Sequence, residues 1–284
     1  MTYQKSILIL GVSLVFFVAC KKNNDADPPI NSIDSLKPAG GKTSWWQPVA
    51  GASFDWQLDA FNSTSNFSAD VVDVDAFNTS AETVAALQAK GKKVIAYLSV
   101  GTLENYRNDA SLLPPEVIGK QYPEWPQEKW LDIRQIDKLK PWLNSRFNMI
   151  IKKRFDGVEP DNMDGYDNDP GFNIQLADTK KYADYLITLA HSNGLSIGQK
   201  NVKELTVDFA AKFDWALTED AFAQGWQNQL SDYIKLNKPV FAVEYTDLMS
   251  QSKFQANVCL AARQLKYTAI LKKRDLSQWV DRCN

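Results

Sequence analysis

FDGVEPDNMDGYDND, residues 155–169, is the stretch from which the fold is predicted. It begins like a buried strand and ends in a run of acids among turn-forming residues. Glu159 and Asp161 are two positions apart, so their side chains share one face if the strand persists. Carboxylates crowded at the end of a strand repel one another, and at least one is expected to have a raised pKa. Such a group suits general acid catalysis, whereas the alternative is a solvated acidic loop or a calcium loop.

The composition is globular and rich in aromatic residues. The chain has 284 residues, 44% of them hydrophobic, with nine Trp, ten Tyr and fourteen Phe. Aromatic side chains stack on sugar rings, although they also fill cores. The net charge of −2 without a basic block argues against nucleic acid as a partner. A single histidine, His191, argues against a histidine-based zinc site and a Ser-His-Asp triad, which leaves carboxylates for acid–base chemistry.

The N-terminus is typical of a bacterial secretory lipoprotein. Lys5 precedes a short apolar run that ends in Phe17-Val18-Ala19-Cys20, similar to a lipobox with Phe in place of the usual Leu. That run is marginal for a membrane span. The prediction is a signal peptide over residues 1–19, lipidation of Cys20 and a flexible tether over residues 20–43. The mature protein would then be anchored by lipid outside the cytoplasm, at the outer membrane or the cell surface.

Two further cysteines belong to the mature domain. Cys259 and Cys283 would lie in an oxidising compartment, where we expect them to form a disulfide. The bond would tie the C-terminal tail to the last long helix. The alternative is two free thiols, one buried and one at the chain end.

Short apolar runs alternate with longer amphipathic ones over residues 44–284. The predicted strands are Ser53–Leu58, Val71–Val74, Val94–Val100, Gly157–Asp161, Leu195–Lys200, Trp215–Glu219, Val240–Tyr245 and Thr268–Leu271. The helical patterns are Ala81–Lys90, a broken region over Leu112–Lys153, Ile174–Ala190, Lys203–Ala210, Trp226–Leu236 and Gln251–Gln264. Alternation implies parallel pairing, so the predicted fold is α/β, a single-domain (β/α)8 TIM barrel. A doubly wound sheet is the alternative.

Polar residues gather at the carboxyl ends of the predicted strands, where the active sites of such barrels lie. They are Asp73, Asp75, Ser99, Glu159, Asp161, Lys200, Asn201, Glu219, Asp220, Glu244 and Asp247. The predicted rim is mostly acidic, and it contains one lysine, Lys200. Lys200 is interpreted as a substrate clamp or a charge balance. A Schiff-base role is disfavoured because the surrounding carboxylates would raise its pKa.

A hard cation is a further hypothesis for the acids that follow Asp161. Oxygen ligands suit Mg²⁺ or Ca²⁺, but the twelfth position counted from Asp164 is Gln175, where a calcium loop has Glu. Neither a Walker loop nor a Rossmann glycine fingerprint occurs, which argues against nucleotide cofactors. The prediction is a reaction without metal or cofactor. A pair of carboxylates on an aromatic, acidic mouth is the equipment of glycoside hydrolysis, and the acidic surplus favours a cationic amino sugar polymer.

An ordered set of motifs resembles glycoside hydrolase family 114 over about Trp45 to Lys272. The motifs are FDGVEPDNMDGY, Asp55–Leu58, Ala96–Gly101, Gly198–Asn201, Leu217–Glu219 and Ala242–Tyr245. The family comprises (β/α)8 barrels described as endo-α-1,4-polygalactosaminidases. By position, the resemblance implies Asp161 as catalytic aspartate and Glu219 as catalytic glutamate, and an amino-sugar subsite lined by Asp75, Lys200 and Glu244. The chain departs from many members at Asp220-Ala221-Phe222, where a cysteine-containing stretch is usual.

The predicted function is hydrolysis of α-1,4-linked galactosamine polysaccharide by a lipid-anchored, monomeric enzyme. The alternative is a surface glycan-binding lipoprotein with the same barrel and no turnover. The expected substrate-binding residues are Asp73, Asp75, Tyr97, Glu159, Asp164, Lys200, Glu244 and Tyr245. Asp161 is assigned as the nucleophile, ionised beside Lys200. Glu219, backed by Trp215 and Phe222 and crowded by Asp220, is expected to have a raised pKa and to act as acid/base, although the two roles could be reversed.

Overall fold

One large sheet carries the fold. The computed structural model describes residues 44–283, so the predicted signal peptide, the tether and Cys20 lie outside the described residues. Within that range the strands are β1 (Phe54–Gln57), β2 (Val71–Asp75), β3 (Lys93–Ser99), β4 (Thr102–Glu104), β5 (Ile118–Gln121), β6 (Glu128–Leu131), β7 (Gly157–Asp161), β8 (Ser196–Lys200), β9 (Trp215–Glu219), β10 (Val240–Tyr245), β11 (Thr268–Lys272) and β12 (Val280–Arg282).

Helices follow most of the parallel strands. They are α1 (Ala81–Ala89), α2 (Ile136–Lys152), α3 (Leu176–Ser192), α4 (Thr206–Phe209), α5 (Ser231–Lys235), α6 (Gln251–Lys253) and α7 (Cys259–Leu265). A π-helical turn, Phe254–Val258, joins α6 to α7. Short 3₁₀ turns cover Ala110–Leu112, Pro115–Val117, Gly165–Asp167, Lys203–Leu205 and Gln227–Leu230. None of the helices within residues 44–283 combines the length and the apolar character needed to cross a membrane.

The large sheet is a nearly closed barrel. Its strand order is β1-β2-β3-β7-β8-β9-β10-β11-β12, and every neighbouring pair is parallel except β11 with β12. The eight predicted strands are its eight parallel members, which confirms the predicted (β/α)8 barrel. The doubly wound alternative is wrong, because β1 and β11 come together at a seam. Backbone bonds from Leu58 N and Asp59 N to Leu276 O, and Lys272 Nζ 3.3 Å from Asp55 Oδ1, bridge that seam.

The barrel interior is apolar towards the amino ends of its strands and polar at their carboxyl ends. Its lower layers are filled by buried side chains from alternate positions of the strands: Phe54, Trp56, Val71, Ile95, Trp215, Leu217, Phe241, Val243 and Ile270. A second and larger apolar cluster packs the helices against the outside of the sheet. Because alternate strand residues point inward, the last inward position of each strand opens at the carboxyl end of the barrel.

The region between β3 and α2 differs from the prediction. The broken helical region expected over residues 112–153 is helical only as two short 3₁₀ turns and as α2. Before α2, an antiparallel sheet in the order β4-β6-β5 has formed instead. Pro123 and Pro126 prevent a continuous helix there. Arg146 of α2, which is fully buried, fixes this sheet to the barrel with bonds to Glu104 (3.0 Å) and Asp109 (2.7 Å).

The C-terminal tail is attached to the barrel in two ways. The structure contains the predicted disulfide between Cys259 of α7 and Cys283. The strand β12, which the prediction missed, pairs antiparallel with β11. Arg282 of this strand also lies 2.8 Å from Asp55 of β1. The tail therefore covers the seam at which the barrel closes.

Candidate active site

A cavity of about 410 Å³ opens at the carboxyl ends of the barrel strands. This volume lies within the usual range of ligand pockets, roughly 300–1,000 Å³. Four of its lining residues are the last residues of β2, β7, β8 and β9: Asp75, Asp161, Lys200 and Glu219. The wall also includes the aromatic side chains of Trp56, Tyr97, Tyr106, Tyr122, Trp125 and Tyr245. We call this space the central cavity.

Lys200 lies at the floor of the central cavity. Its Nζ is 2.7 Å from Glu159 Oε1, 3.0 Å from Asp161 Oδ1 and 3.2 Å from Glu219 Oε2. It also lies 4.5 Å from the centre of the Trp56 ring. Burial alone would lower the pKa of Lys200, but the three carboxylates outweigh it and the pKa is raised well above its usual value. The side chain is therefore a fixed cation, unsuited to Schiff-base chemistry.

Glu219 is held as an anion by three donors. Besides Lys200, Asn201 Nδ2 donates at 3.1 Å and the Tyr245 hydroxyl at 2.5 Å. Burial alone would raise the pKa of Glu219, but Lys200 and these hydrogen bonds outweigh it, and the pKa lies below its ordinary value. The predicted raised pKa is wrong, because it weighed neighbours in sequence and missed donors from β10 and from the end of β8.

Asp161 shares Lys200 with Glu219. Its Oδ2 accepts a hydrogen bond from the Tyr97 hydroxyl at 3.0 Å, and its Oδ1 faces Lys200. Because Lys200 Nζ contacts both carboxylates, the two contacting oxygens are no farther apart than the sum of the distances, roughly 6 Å. The sequence-predicted pair is thus brought together across one lysine.

The other sequence-predicted binding residues divide into two groups. Asp75, Tyr97, Asp164, Lys200 and Tyr245 line the central cavity, whereas Asp73, Glu159 and Glu244 do not. Asp73 and Glu159 lie below it with side chains that are fully buried. Asp75 carries no free charge, since Arg107 Nη2 lies 2.6 Å from its carboxylate.

Glu244 supports a loop and does not face the central cavity. It is fully buried, and its two carboxylate oxygens accept hydrogen bonds from the backbone N–H groups of Phe222 (2.9 Å) and Ala223 (3.0 Å). Burial raises its pKa to about 7 in spite of these bonds. The loop after β9 is the stretch where the chain departs from many members of the resembled family. The sequence could not predict this placement, since a backbone amide leaves no residue pattern.

The acids that follow Asp161 do not converge on one point. Asp164 lines the central cavity, and burial together with Asp161 raises its pKa to about 6. Asp169 instead pairs with Lys120 at the surface, at 2.6 Å. Within residues 44–283 no cluster of three or more acidic, histidine or cysteine side chains is arranged to hold a metal ion.

Glu128 is a cavity residue that sequence reasoning missed. It begins β6 and accepts a hydrogen bond of 2.5 Å from the Thr102 hydroxyl. Burial raises its pKa to about 7 in spite of the Thr102 bond, and the charges of Glu104 and Asp161 act in the same direction as burial. Trp125, just before this strand, is 53% exposed at the mouth. The stretch Glu128-Lys129-Trp130-Leu131 shows no strict alternation of polar and apolar residues, and only the position of the sheet over the barrel shows the relevance of Glu128.

A second cavity of about 600 Å³ adjoins the first. The residues that line both are Tyr122, Trp125, Asp164, Asn201, Val202, Glu219 and Arg274. The second cavity adds Glu124, Tyr166, Asp167, Lys203, Glu204, Asp220, Gln224 and Trp226. The two cavities therefore form one cleft, with Glu219 on the wall that they share.

A carboxylate pair at the end of a barrel accords with the family comparison. The model of glycoside-hydrolase family GH114 matches residues 35–284. The chain belongs to glycoside-hydrolase family GH114. This confirms the resemblance that the motifs indicated, and it confirms the prediction that the protein is a glycoside hydrolase.

Two solved structures and one sequence relative are similar to this chain. Aspergillus fumigatus Ega3, in a crystal structure described as a complex with galactosamine, is 32% identical, with a TM-score of 0.79 over 86% of this chain and 100% of that one. The glycoside hydrolase domain of PelA from Pseudomonas aeruginosa, 14% identical with a TM-score of 0.62, matches in fold over 83% of this chain and 99% of that domain. An uncharacterized protein of Methanocaldococcus jannaschii is 26% identical over 85% of this chain and 80% of that protein.

Proposed function

We propose that this GH114 member hydrolyses α-1,4-linked galactosamine-containing polysaccharide with Asp161 and Glu219 as its two catalytic carboxyl groups. The observation that carries the proposal is the placement of both carboxylates on Lys200 Nζ, at 3.0 and 3.2 Å, on the wall of one cleft. The oxygens of the two groups that face Lys200 are at most roughly 6 Å apart, which favours a retaining mechanism, for which the two carboxyl groups lie about 5 Å apart.

In the proposed mechanism the roles are the reverse of the assignment made from sequence. Glu219, with three donors and a lowered pKa, is the ionised nucleophile that attacks the anomeric carbon. Asp161 faces Glu219 across Lys200 and is assigned as the acid/base group, which donates a proton to the leaving oxygen. The glycosidic bond breaks and a glycosyl ester forms on Glu219. Asp161 then deprotonates a water molecule, which attacks the anomeric carbon and releases Glu219.

The charges of the cleft support an amino sugar as substrate. Asp75 and Glu219 are neutralised by Arg107 and Lys200, but Asp164 and Glu128 have no cationic partner among the described ion pairs. Above their raised pKa values these two carboxylates are anions that can accept from a sugar ammonium. The solved complex of Ega3 with galactosamine concerns a relative that is 32% identical. The two adjoining cavities, of about 410 and 600 Å³, support a polymer over a single sugar.

Cleavage of purified α-1,4-galactosamine polymer, followed by the release of reducing ends, tests the function. Asp161→Asn and Glu219→Gln keep the side-chain shape, so each is expected to abolish most turnover and to preserve polymer binding. Asp169→Asn, at an exposed ion pair with Lys120, is the matched control and is expected to cleave normally. Wild-type cleavage by either cavity variant would refute that residue's role. Binding by the wild type without any cleavage would support the alternative, a glycan-binding lipoprotein.

The two roles can be separated with small-molecule rescue. A glycoside with an activated leaving group needs no proton donor, so Asp161→Asn is expected to hydrolyse it far faster than it hydrolyses the polymer. Azide can replace a missing nucleophile, and we expect it to restore turnover to Glu219→Ala with inversion of configuration. An inverted glycosyl azide from Asp161→Ala, together with a retained glycosyl azide from Glu219→Ala, would return the roles to the order assigned from sequence.

The location of the enzyme is also a proposal. Lys5, the apolar run and Ala19-Cys20 support cleavage before Cys20 and lipidation of its thiol, so that the domain faces a polysaccharide outside the cytoplasm. Cys20→Ala is expected to give an uncleaved precursor or released protein on fractionation of cells. Membrane-bound mature protein in that variant would contradict lipid anchoring.

A further inference from the structure

Two buried carboxyl groups lie directly below Lys200, outside the central cavity. Asp73 of β2 and Glu159 of β7 are both fully buried. Glu159 Oε1 accepts from Lys200 Nζ at 2.7 Å, whereas Glu159 Oε2 and both oxygens of Asp73 have no donor. Three buried oxygens without a donor are costly, since such groups are almost always hydrogen-bonded in folded proteins.

The proximity of Asp73 to Glu159 explains why these oxygens have no donor. The side chains of Asp73 and Glu159 are within hydrogen-bond reach of each other. Two carboxylates accept and cannot donate, so a bond between them requires a proton on one of the two. Lys200 already bonds Glu159 and favours its ionised form. The shared proton therefore belongs on the Asp73 side of the pair.

We propose that Asp73 remains protonated at neutral pH and donates to Glu159, so that Glu159 in turn holds the Lys200 ammonium between Asp161 and Glu219. Asp73 and Glu159 are then positioning residues: they touch no substrate and act through Lys200. Their effect on turnover rests on the function proposed above, while the shared proton itself does not. Burial, and then the charge of Glu159, raise the pKa of Asp73 well above its ordinary value, in agreement with the geometry.

The proton on Asp73 sets the charge beneath the catalytic pair. The groups that interact with this pair from neighbouring strands are Tyr97, Asp161, Lys200 and Tyr245, with Glu219 next to Lys200. With Asp73 neutral, Lys200 contacts the carboxyl groups of Glu159, Asp161 and Glu219. An ionised Asp73 would add a negative charge below them and draw the ammonium down, away from the cavity. The Asp73 proton thus keeps the lysine available to both Asp161 and Glu219.

Infrared spectroscopy tests the proton without any turnover. At about pH 9, roughly two units above the pKa of about 7 of Glu128 and Glu244, those groups are ionised and Asp73 is expected to leave a protonated carboxyl C=O band. The band should be present in the wild-type protein and absent from Asp73→Asn. If folded wild-type protein and Asp73→Asn give the same carboxyl C=O bands at about pH 7 as well as at about pH 9, the proposal is overturned, whether or not the protein cleaves polysaccharide.

The pH profile of polymer cleavage provides the second test. Asp73→Asn replaces a neutral donor with a neutral donor of the same shape, so both limbs of the kcat/KM profile should keep their wild-type positions. Glu159→Gln removes a negative charge beside Asp161 and Glu219, so both limbs should move to lower pH by roughly one unit. Asp73→Leu lacks the donor that Asp73→Asn keeps. A lower kcat in Asp73→Leu but not in Asp73→Asn would support the proposal. A shift of both limbs in Asp73→Asn, as large as that in Glu159→Gln, would show that Asp73 is ionised and would overturn it.

Discussion

Gly198 and Trp215 meet at the centre of the barrel: a Cβ added to Gly198 would lie 2.3 Å from Cζ3 of the indole ring. Trp215 Nε1 bonds Ser196 Oγ at 3.1 Å, so the ring is fixed on the strand that carries Gly198. Lys200 is two positions further along this strand and points to the same side of the sheet. The glycine therefore gives the indole its place below the layer in which Lys200 meets its carboxylates.

Gly198→Ala is expected to destabilise the protein by about 1–3 kcal/mol, because the ring has no room to move within a packed interior. Denaturant unfolding gives the free energy. Gly165→Ala is the matched control: its added Cβ would lie 3.3 Å from the flexible end of Ile174, and a much smaller loss is expected. Equal losses in the two variants would contradict the close contact.

The eight barrel strands could be predicted because most of them are buried on both faces and contain short apolar runs between the helical patterns. Gly157–Asp161, Trp215–Glu219 and Val240–Tyr245 even have the predicted bounds. The sheet β4-β6-β5 could not, since its strands are only three or four residues long and two prolines interrupt the region. Its place over the barrel depends on contacts of the buried Arg146 with residues about 40 positions away, which no local pattern contains.

The candidate site could be predicted by position but not by charge. The positions of Asp161, Lys200 and Glu219 at strand ends correctly predicted that these residues share one cavity. The protonation of Glu219 was predicted wrongly, because Tyr245 lies 26 residues away in sequence and 2.5 Å away in space. Glu244 was expected at the sugar for a similar reason: its two backbone donors become visible only when the loop after β9 is folded.

Glu128 should make the stability of the protein depend on pH. The folded state raises its pKa from 4.5 to about 7, chiefly by burial, so the folded state binds more protons between these values. Its contribution to stability is therefore present below pH 4.5 and is lost as the pH rises through about 7. Glu128→Gln cannot ionise, and we expect it to exceed the wild type by on the order of 2 kcal/mol at pH 8 and to match it near pH 4.

Unfolding of both proteins in denaturant across this pH range measures the difference, in which the titration of all other groups cancels to first order. Glu124→Gln, at an exposed position next to Trp125, is the matched control for the loss of a carboxylate in this region. A constant difference between Glu128→Gln and wild type from pH 4 to pH 8 would contradict the raised pKa.

The disulfide between Cys259 and Cys283 should stabilise the tail over the barrel seam. It closes a loop with a sequence separation of 24 residues, for which chain-entropy estimates give roughly 3 kcal/mol. Cys259→Ser, Cys283→Ser and the double variant are expected to lose similar free energies of unfolding. In a Cys20→Ala variant that is denatured but not reduced, an alkylating reagent should label neither Cys259 nor Cys283. Labelling of both cysteines would show that the bond is absent.

Tyr245 should set the acid limb of catalysis if Glu219 is the nucleophile. Its hydroxyl donates to Glu219 at 2.5 Å and lowers the pKa of that carboxyl, after the larger contribution of Lys200. Tyr245→Phe removes the donor and keeps the ring, which Arg274 covers at 3.8 Å. The pKa of Glu219 should rise, so the acid limb of kcat/KM should move to higher pH by about one unit, the equivalent of one hydrogen bond to a charged group.

The matched variant is Tyr97→Phe, which removes the corresponding hydroxyl from Asp161, 3.0 Å away. Under the proposed roles the acid limb reports ionisation of the nucleophile, so Tyr97→Phe should lower kcat through the position of Asp161 and leave the acid limb in place. Profiles of kcat/KM for polymer cleavage, measured for both variants and the wild type, decide between the two assignments. If Tyr97→Phe moves the acid limb and Tyr245→Phe does not, then Asp161 is the group that must be ionised, and the nucleophile is on β7 instead of β9.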